Sequence, residues 1–228
     1  MAKFWSGQTR LYYGGYDLGT ATTQIQLGRM QVALDTTALN DAAERTVAGL
    51  RQDTVTWAGI FDDATSHDAA MAILLGSSPG SNMVLTLHVG TTTGDVAYAG
   101  TAMPLRHGVP VAHDELVRAE MDFVNDDTWQ RGVGWVRTTL TGTGATNSAG
   151  SVDNSAASTG SGTFYMQVFD TSGGTGSVSF QDSADAVTWA NLVSVAVATG
   201  GTAIVRSIGS GAGGTVRRYT RIVEDMAS

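Results

Sequence analysis

The residues of this chain most able to do chemistry are four histidines, two pairs of adjacent aspartates and one cluster of arginines. His107 and His113, followed by Asp114 and Glu115, could be imagined as a metal site. Metal sites need converging ligands, and the spacing in HGVPVAH matches no common ligand pair. They read as polar residues at strand ends. Asp62 with Asp63 and Asp126 with Asp127 offer carboxylates for glycosidic cleavage. That reaction needs two carboxylates facing each other across a cleft, whereas neighbours on a strand point to opposite faces. Both pairs read as solvated turns. Placed on a strand, Arg217 and Arg221 share a face with Tyr219, and Arg218 points away. Such stacking suits an interface or a sheet brace better than nucleic-acid readout. GSGAGG (209–214) lacks a following helix and reads as a hairpin turn. There is no Gly-x-Ser-x-Gly elbow and no phosphate loop. Cysteine is absent, which removes disulfides, thiolate metal sites and a cysteine nucleophile. The reading is a protein that is not an enzyme, with no catalytic residues, no metal and no cofactor.

Composition and charge narrow the partners. The 228 residues carry a formal charge of −8, and 29 of them are glycine. Small residues in such abundance suit short strands and turns. Residues 1–129 hold 15 acids against 7 bases, and residues 130–228 hold 6 against 6, so the imbalance lies wholly in the first part. Phosphates are gripped by excess Lys and Arg, which this chain lacks. The opening MAKFWSGQTR has no apolar core of a signal peptide, and no run reaches the ~18 apolar residues of a membrane span. The expectation is a soluble protein made in a cytosol, with no membrane partner.

The elements that must carry these residues are mostly strands. LYYGGYDLG (11–19) predicts two strands joined by a tight turn, with Gly14 and Gly15 free to take positive φ. TQIQLGRMQVAL (23–34), VTWAGIF (55–61), NMVLTLHVG (82–90), DVAYAGTAMPL (95–105) and ELVRAEMDFVN (115–125) alternate or carry strand formers. One helix is predicted after residue 65, with Met71, Leu74 and Leu75 as its stripe and Gly76 as its stop. Residues 39–52 predict a long loop whose apolar members Leu39, Val47 and Leu50 dock on something. A short helix over its own core fits the same pattern. The Gly-, Ser- and Thr-rich 141–162 reads as a linker or as polar edge strands. Beyond it, 162–170, 176–183, 191–199, 201–209 and 215–223 predict a sandwich or jelly roll, with Phe180 and Trp189 as core anchors. The division expected is a first domain over 1–130 and a second over 131–228.

The succession YGGYDLG, then LDTTALNDAAERTVAGLRQDTVTWAGIFDD, then a short helix before more strands, resembles the major tail tube proteins of long-tailed phages. The resemblance covers roughly residues 11–125, and its most specific part runs from LDTT to TVTWAGIFD. SVSFQDSADAVTWANL with VRRYTRIV resembles a β-sandwich domain found in phage tail proteins. The resemblance implies a mainly β fold: a tail-tube β-sandwich with one flanking helix, plus a C-terminal sandwich on the outer surface. It implies six copies per ring, rings stacked into a hollow tube, and inner strands joined into one barrel. The loop 39–52, with Leu39, Val47 and Leu50, would reach the neighbouring ring. Implied partners are further copies of the chain and the tape-measure, terminator and tail-tip proteins, with DNA passing unbound through the lumen. The implied location is the virion tail, after assembly in host cytoplasm. An acidic lining would repel phosphates if acids of the first part face inward. A head decoration protein, or a tail-surface adhesin binding sugars through Trp189, Tyr165 and Tyr219, is the alternative.

Overall fold

The computed structural model describes residues 9–35, 46–61, 83–111, 116–125, 129–135, 144–146, 150–158, 160, 162–169, 175–197, 202–208 and 214–227. All its regular elements there are strands. In chain order they are β1 (Arg10–Tyr13), β2 (Tyr16–Asp17), β3 (Thr22–Asp35), β4 (Thr46–Ile60), β5 (Met83–His88), β6 (Val96–Gly108), β7 (Arg118–Asn125) and β8 (Gln130–Val133). They continue with β9 (Gly144–Thr146), β10 (Ser151–Asp153), β11 (Gly162–Val168), β12 (Thr175–Ser183), β13 (Ala190–Val197), β14 (Thr202–Ile208) and β15 (Tyr219–Ala227). The fold is mainly β, with antiparallel pairing throughout the registers found. The helix expected after residue 65 falls outside the described residues.

Two compact units form, and they interleave along the chain instead of parting at residue 130. One comprises Met1–Gly19, Val84–Ala99 and Arg131–Ser228; the other comprises Thr20–Met83 and Gly100–Gln130. The interleaving has a physical cause within the first unit. Gln167, in β11, takes the Gly15 backbone N–H on its Oε1 at 2.8 Å and donates Nε2 to the Val84 carbonyl at 2.8 Å. One amide thus ties the β1–β2 turn and β5 to the C-terminal strands.

In that unit β2, β1, β5 and residues 96–99 of β6 lie in order. Gly14 and Gly15, at φ 58° and 91°, make the two-residue turn that the sequence predicts. Alternation along β5 suggests a half-buried strand, yet Val84, Leu85, Thr86, Leu87 and His88 are all buried. His88 packs edge-on against Tyr12 at 5.4 Å, and a side chain at Gly134 would collide with its ring. Burial lowers its pKa to about 4, opposed by the charge of Asp95. An unfolded histidine titrates near 6.5, so the unfolded state takes up the proton first as pH falls. The stability present above pH 6.5 is lost progressively between there and pH 4, by about 3 kcal/mol. Chemical denaturation at pH 7.5 and pH 4.5 should show this loss. His88→Leu should flatten it, and an equally steep profile in that variant would refute the assignment.

The C-terminal strands form a small two-layer sandwich. A five-stranded sheet, β10-β15-β12-β13 with β9 also on β15, faces the pair β11-β14. Between them lie Phe164, Met166, Val178, Phe180, Val195, Val197 and Ile222. Phe164 stacks on Phe180 at 5.4 Å, and Trp135 meets Phe180 edge-on at 5.2 Å. Phe180 is a core anchor, as expected. Trp189 is not: it is half-buried beneath Arg221, outside that core. In 141–162, the described strands β9 and β10 are edge strands on β15.

The second unit is one sheet in the order β6-β7-β4-β3, with β6 contributing residues 100–108. Odd-numbered residues of β4 point inward. Val55 and Trp57 are buried there against Phe123 and Met121 of β7, their register partners. The Trp57 indole N–H donates to the Thr22 hydroxyl at 2.7 Å. Gly59 must stay small, because a Cβ there would fall on the Trp57 ring and the Ala21 carbonyl. Gly59→Ala is expected to cost about 1–3 kcal/mol, as overpacking does. Urea unfolding followed by tryptophan fluorescence measures it.

Candidate self-association surfaces

Three features of the second unit could join one copy of the chain to another. The first is the outward face of its sheet. Gln24 and Gln26 of β3, Thr54, Thr56 and Ala58 of β4, and Glu120 and Asp122 of β7 share that face by register. Arg106 of β6 reaches across it to Asp122 at 2.9 Å and Glu120 at 3.2 Å. With Arg118 on the same face, two acids meet two bases. The acidic lining expected from net charge is therefore not found among the described residues of this face. Formal charge cancels on it, and its other members are hydroxyls and amides with the apolar Ala58, Ile60 and Val124 among them.

The second feature is the border of the sheet. β3 ends the strand order, so its 14 residues have β4 on one side and no strand on the other among the described residues. Its sequence, TTQIQLGRMQVALD, contains no lysine and no proline, the usual guards of an open edge. At the opposite border, the Val89 N–H donates to the Val96 carbonyl, so β5 pairs the beginning of β6. Gly134 exchanges hydrogen bonds with Gly94 and Asp95, which sets β8 at the same beginning. Counting from these bonds leaves residues 103–106 of β6 with β7 as their one strand neighbour among the described residues.

The third feature is a ribbon. β4 pairs β7 only from Thr54 to Ile60, whereas β3 and β4 remain paired out to Asp35 and Thr46. Six register pairs therefore stand beyond the part paired with β7 among the described residues, a projection of roughly 20 Å. At its root the buried Asp53 accepts the Trp129 backbone N–H at 2.9 Å and pairs with Arg29 at 3.4 Å. Arg29 also donates to the Trp129 carbonyl. Leu34 and Val47 face each other near the tip, 51% and 52% exposed, and Met30 is 57% exposed. Two strands alone are marginally stable in water, and bare apolar residues on them suit a covered surface.

The sequence-based loop over 39–52 needs correction. Residues 46–52 are strand, with β3 paired to Arg51–Gln52 and to Thr46–Ala48 on either side of a register shift. Val47 stands on that strand, exposed. Leu50 lies in β4, its side chain outside the described residues, and Leu39 lies outside them altogether. Met30 and Leu34 were legible only as ordinary members of an alternating strand.

Among the described residues the chemistry-bearing side chains do not converge. His113, Asp114, Glu115, Asp62, Asp63, Asp126 and Asp127 fall outside the described residues, and His107 sits on β6 opposite Met121. Among the described residues no group of three metal-binding side chains occurs. The arginines part company too. Arg217 and Arg218 precede β15 instead of lying on it, so the shared strand face does not exist. Arg217 clamps the buried Asp182. Arg218 pairs with Asp153 at 2.6 Å and covers the Tyr219 ring at 4.9 Å, and Arg221 covers Trp189 at 4.2 Å. Each arginine is a brace.

No protein-family model matches the chain, and no characterised protein sequence does. Among solved structures, a chain from the tail of an empty gene transfer agent particle with C6 symmetry is 15% identical. The match covers 57% of this chain and 98% of that one, at a TM-score of 0.44. A chain from the virion of a native gene transfer agent particle is 14% identical, covering 49% and 85%, at 0.40. A chain from the sheath–tube complex of an extracellular contractile injection system is 9% identical, covering 58% and 93%, at 0.44.

Proposed function

We propose that this chain is a structural subunit of a phage-type tail tube. In this reading the β3 edge of one copy pairs with residues 103–106 of β6 in the next, closing a ring of six. The open edge of β3 carries the reading, because a long edge without lysine or proline is a template for another strand and a closed barrel removes it. A contact between unlike surfaces is also what generates a ring. The neutral outward face would then line the bore, and DNA would pass it without specific binding. The ribbon would reach the neighbouring ring, with Leu39, Val47 and Leu50 as the contact residues. The resemblance of residues 11–125 to major tail tube proteins supports the same assembly. An adhesin reading gains nothing from the braced aromatics, since Trp189 and Tyr219 each carry an arginine over the ring.

Electron microscopy of the purified protein tests the proposal. Rings or stacked tubes with a central hole are expected as concentration rises. A protein that stays monomeric at every concentration, and never enters particles, would overturn it.

A further inference from the structure

The inward stripe of β4, Trp57 and Val55, continues to an aspartate. A carboxylate there needs partners on oxygens that solvent does not reach. Asp53 and Trp129 are each 3% exposed. One oxygen of Asp53, Oδ2, is used: it accepts the Trp129 backbone N–H at 2.9 Å and lies 3.4 Å from Arg29 Nε. The other, Oδ1, has no hydrogen-bond partner among the described residues. The β4–β7 register runs to Thr54 beside Val124, so its next step sets Asn125 opposite Asp53 on the same inward face. Both ends of the Asn125 amide are shut off from solvent, and neither has a partner there. The same holds for the Trp129 indole N–H. The strand beside Asn125 brings only small residues. Ala102 is its register partner, and a Cβ on Gly100 would come within 2.8 Å of the amide nitrogen. Four buried polar atoms of three side chains thus lack partners at one place, where β4 parts from β7.

A buried polar group without a partner is costly, and folded proteins satisfy nearly all of theirs with protein or ordered water. The kinds of atom decide what fits. Asp53 Oδ1 and the Asn125 oxygen accept, whereas the Asn125 nitrogen and Trp129 Nε1 donate. Turning the amide over exchanges its two ends and leaves the count unchanged. A metal cation would suit the two oxygens and meet two N–H groups with their positive ends toward it. An anion would meet the carboxylate. A small neutral molecule that both donates and accepts matches the set, and water makes the three bonds usual for a buried one. We infer that Asp53, Asn125 and Trp129 form a buried water site. The water donates to Asp53 Oδ1 and Asn125 Oδ1 and accepts from Trp129 Nε1. It joins β4, the end of β7 and the residue before β8 at the root of the ribbon. The inference concerns a single protomer and does not rest on the tube reading.

Solution NMR of the full chain, with nitrogen-labelled indoles at its five tryptophans, reads the site directly. The Trp129 indole resonance is the one lost in Trp129→Phe. In the parent protein it should show cross-relaxation with solvent, of the sign that a long-lived bound water gives. A second arm measures urea unfolding of Asn125→Leu, Trp129→Phe and the double variant. If both groups hold one water, the first substitution releases it and leaves the second little to remove. The double variant should then exceed the stability that the two single losses predict by on the order of fivefold in the unfolding equilibrium constant. Absence of the solvent cross-peak would overturn the site. Additive losses would overturn the claim that Asn125 and Trp129 share one water. A shift of the Trp129 resonance with sodium or calcium chloride, and none with tetramethylammonium chloride, would give the site to a cation and overturn the water.

Discussion

Proline at one of two neighbouring positions, Gln26 and Leu27, is expected to leave a folded protomer that no longer assembles. At the other position it is expected to damage the protomer itself. Both residues pair regularly with β4, opposite Thr56 and Val55. In an antiparallel ladder, successive residues alternate between bonding the partner strand and pointing their N–H and C=O away. One of the two N–H groups therefore holds β4, and the other faces the open border of β3. Proline cannot donate, and in a sheet it is tolerated only where no ladder bond is required. The inward substitution should cost roughly 3 kcal/mol of folding stability. The outward one should leave folding nearly unchanged and raise the concentration for half-assembly on the order of 100-fold, about 2.8 kcal/mol. Sedimentation velocity over a concentration series, beside denaturant unfolding, separates the two. If both variants assemble at the parent's concentration, edge pairing does not build the ring.

The largest loss of folding stability is expected from Asp182→Ala. Asp182 is 2% exposed. It accepts the Arg217 backbone N–H at 2.7 Å, Nε at 2.8 Å and Nη2 at 2.6 Å, while its carbonyl accepts Nη2 at 2.8 Å. Breaking a buried pair typically costs about 3–5 kcal/mol, because the surviving charge is left without a partner. Here the Arg217 side chain is one-third exposed and can rehydrate, so the low end, about 3 kcal/mol, is expected. Asp182→Asn keeps the shape and an acceptor and should cost less. Trp135 and Trp189 flank this region, and guanidinium unfolding followed by their fluorescence reads the loss. A change below about 1 kcal/mol would mean that the clamp barely offsets its own desolvation. The neighbouring turn has independent support. Asp185 accepts the Thr188 and Val187 backbone N–H groups and the Ser183 hydroxyl, which hold its carboxyl well below the usual carboxylate range.

Much of the strand order was legible because burial on one face imposes a period of two. TQIQLGRMQVAL and GSVSFQDS show it plainly, and Gly14 with Gly15 could serve little but a tight turn. The failures have particular causes. Residues 46–52, TVAGLRQ, were hidden because a ribbon standing clear of the sheet has no core to impose alternation. β5 showed half of its burial, since the cover on its second face comes from Gln167 and its neighbours, distant in sequence. Arg217 looked like a strand residue because Tyr219 and Arg221 continue the pattern. Only the approach of Asp182 from β12 reveals that the chain there is irregular. Of the association surfaces, Val47 was legible as an apolar residue lacking an evident core. The open border of β3 was not, because it depends on which strands fail to arrive.

The neutral wall of Gln24, Gln26, Thr54 and Thr56, with its two acids matched by two arginines, has a consequence for traffic. A cationic surface binds a polyphosphate by stripping its condensed ions, so its grip weakens steeply as salt is added. A strongly anionic one would set up a barrier that salt lowers. Amides and hydroxyls do neither. In the proposed bore the passing strand would keep its ion atmosphere and slide on a layer of bound water. Its friction would then be nearly indifferent to the ionic strength outside.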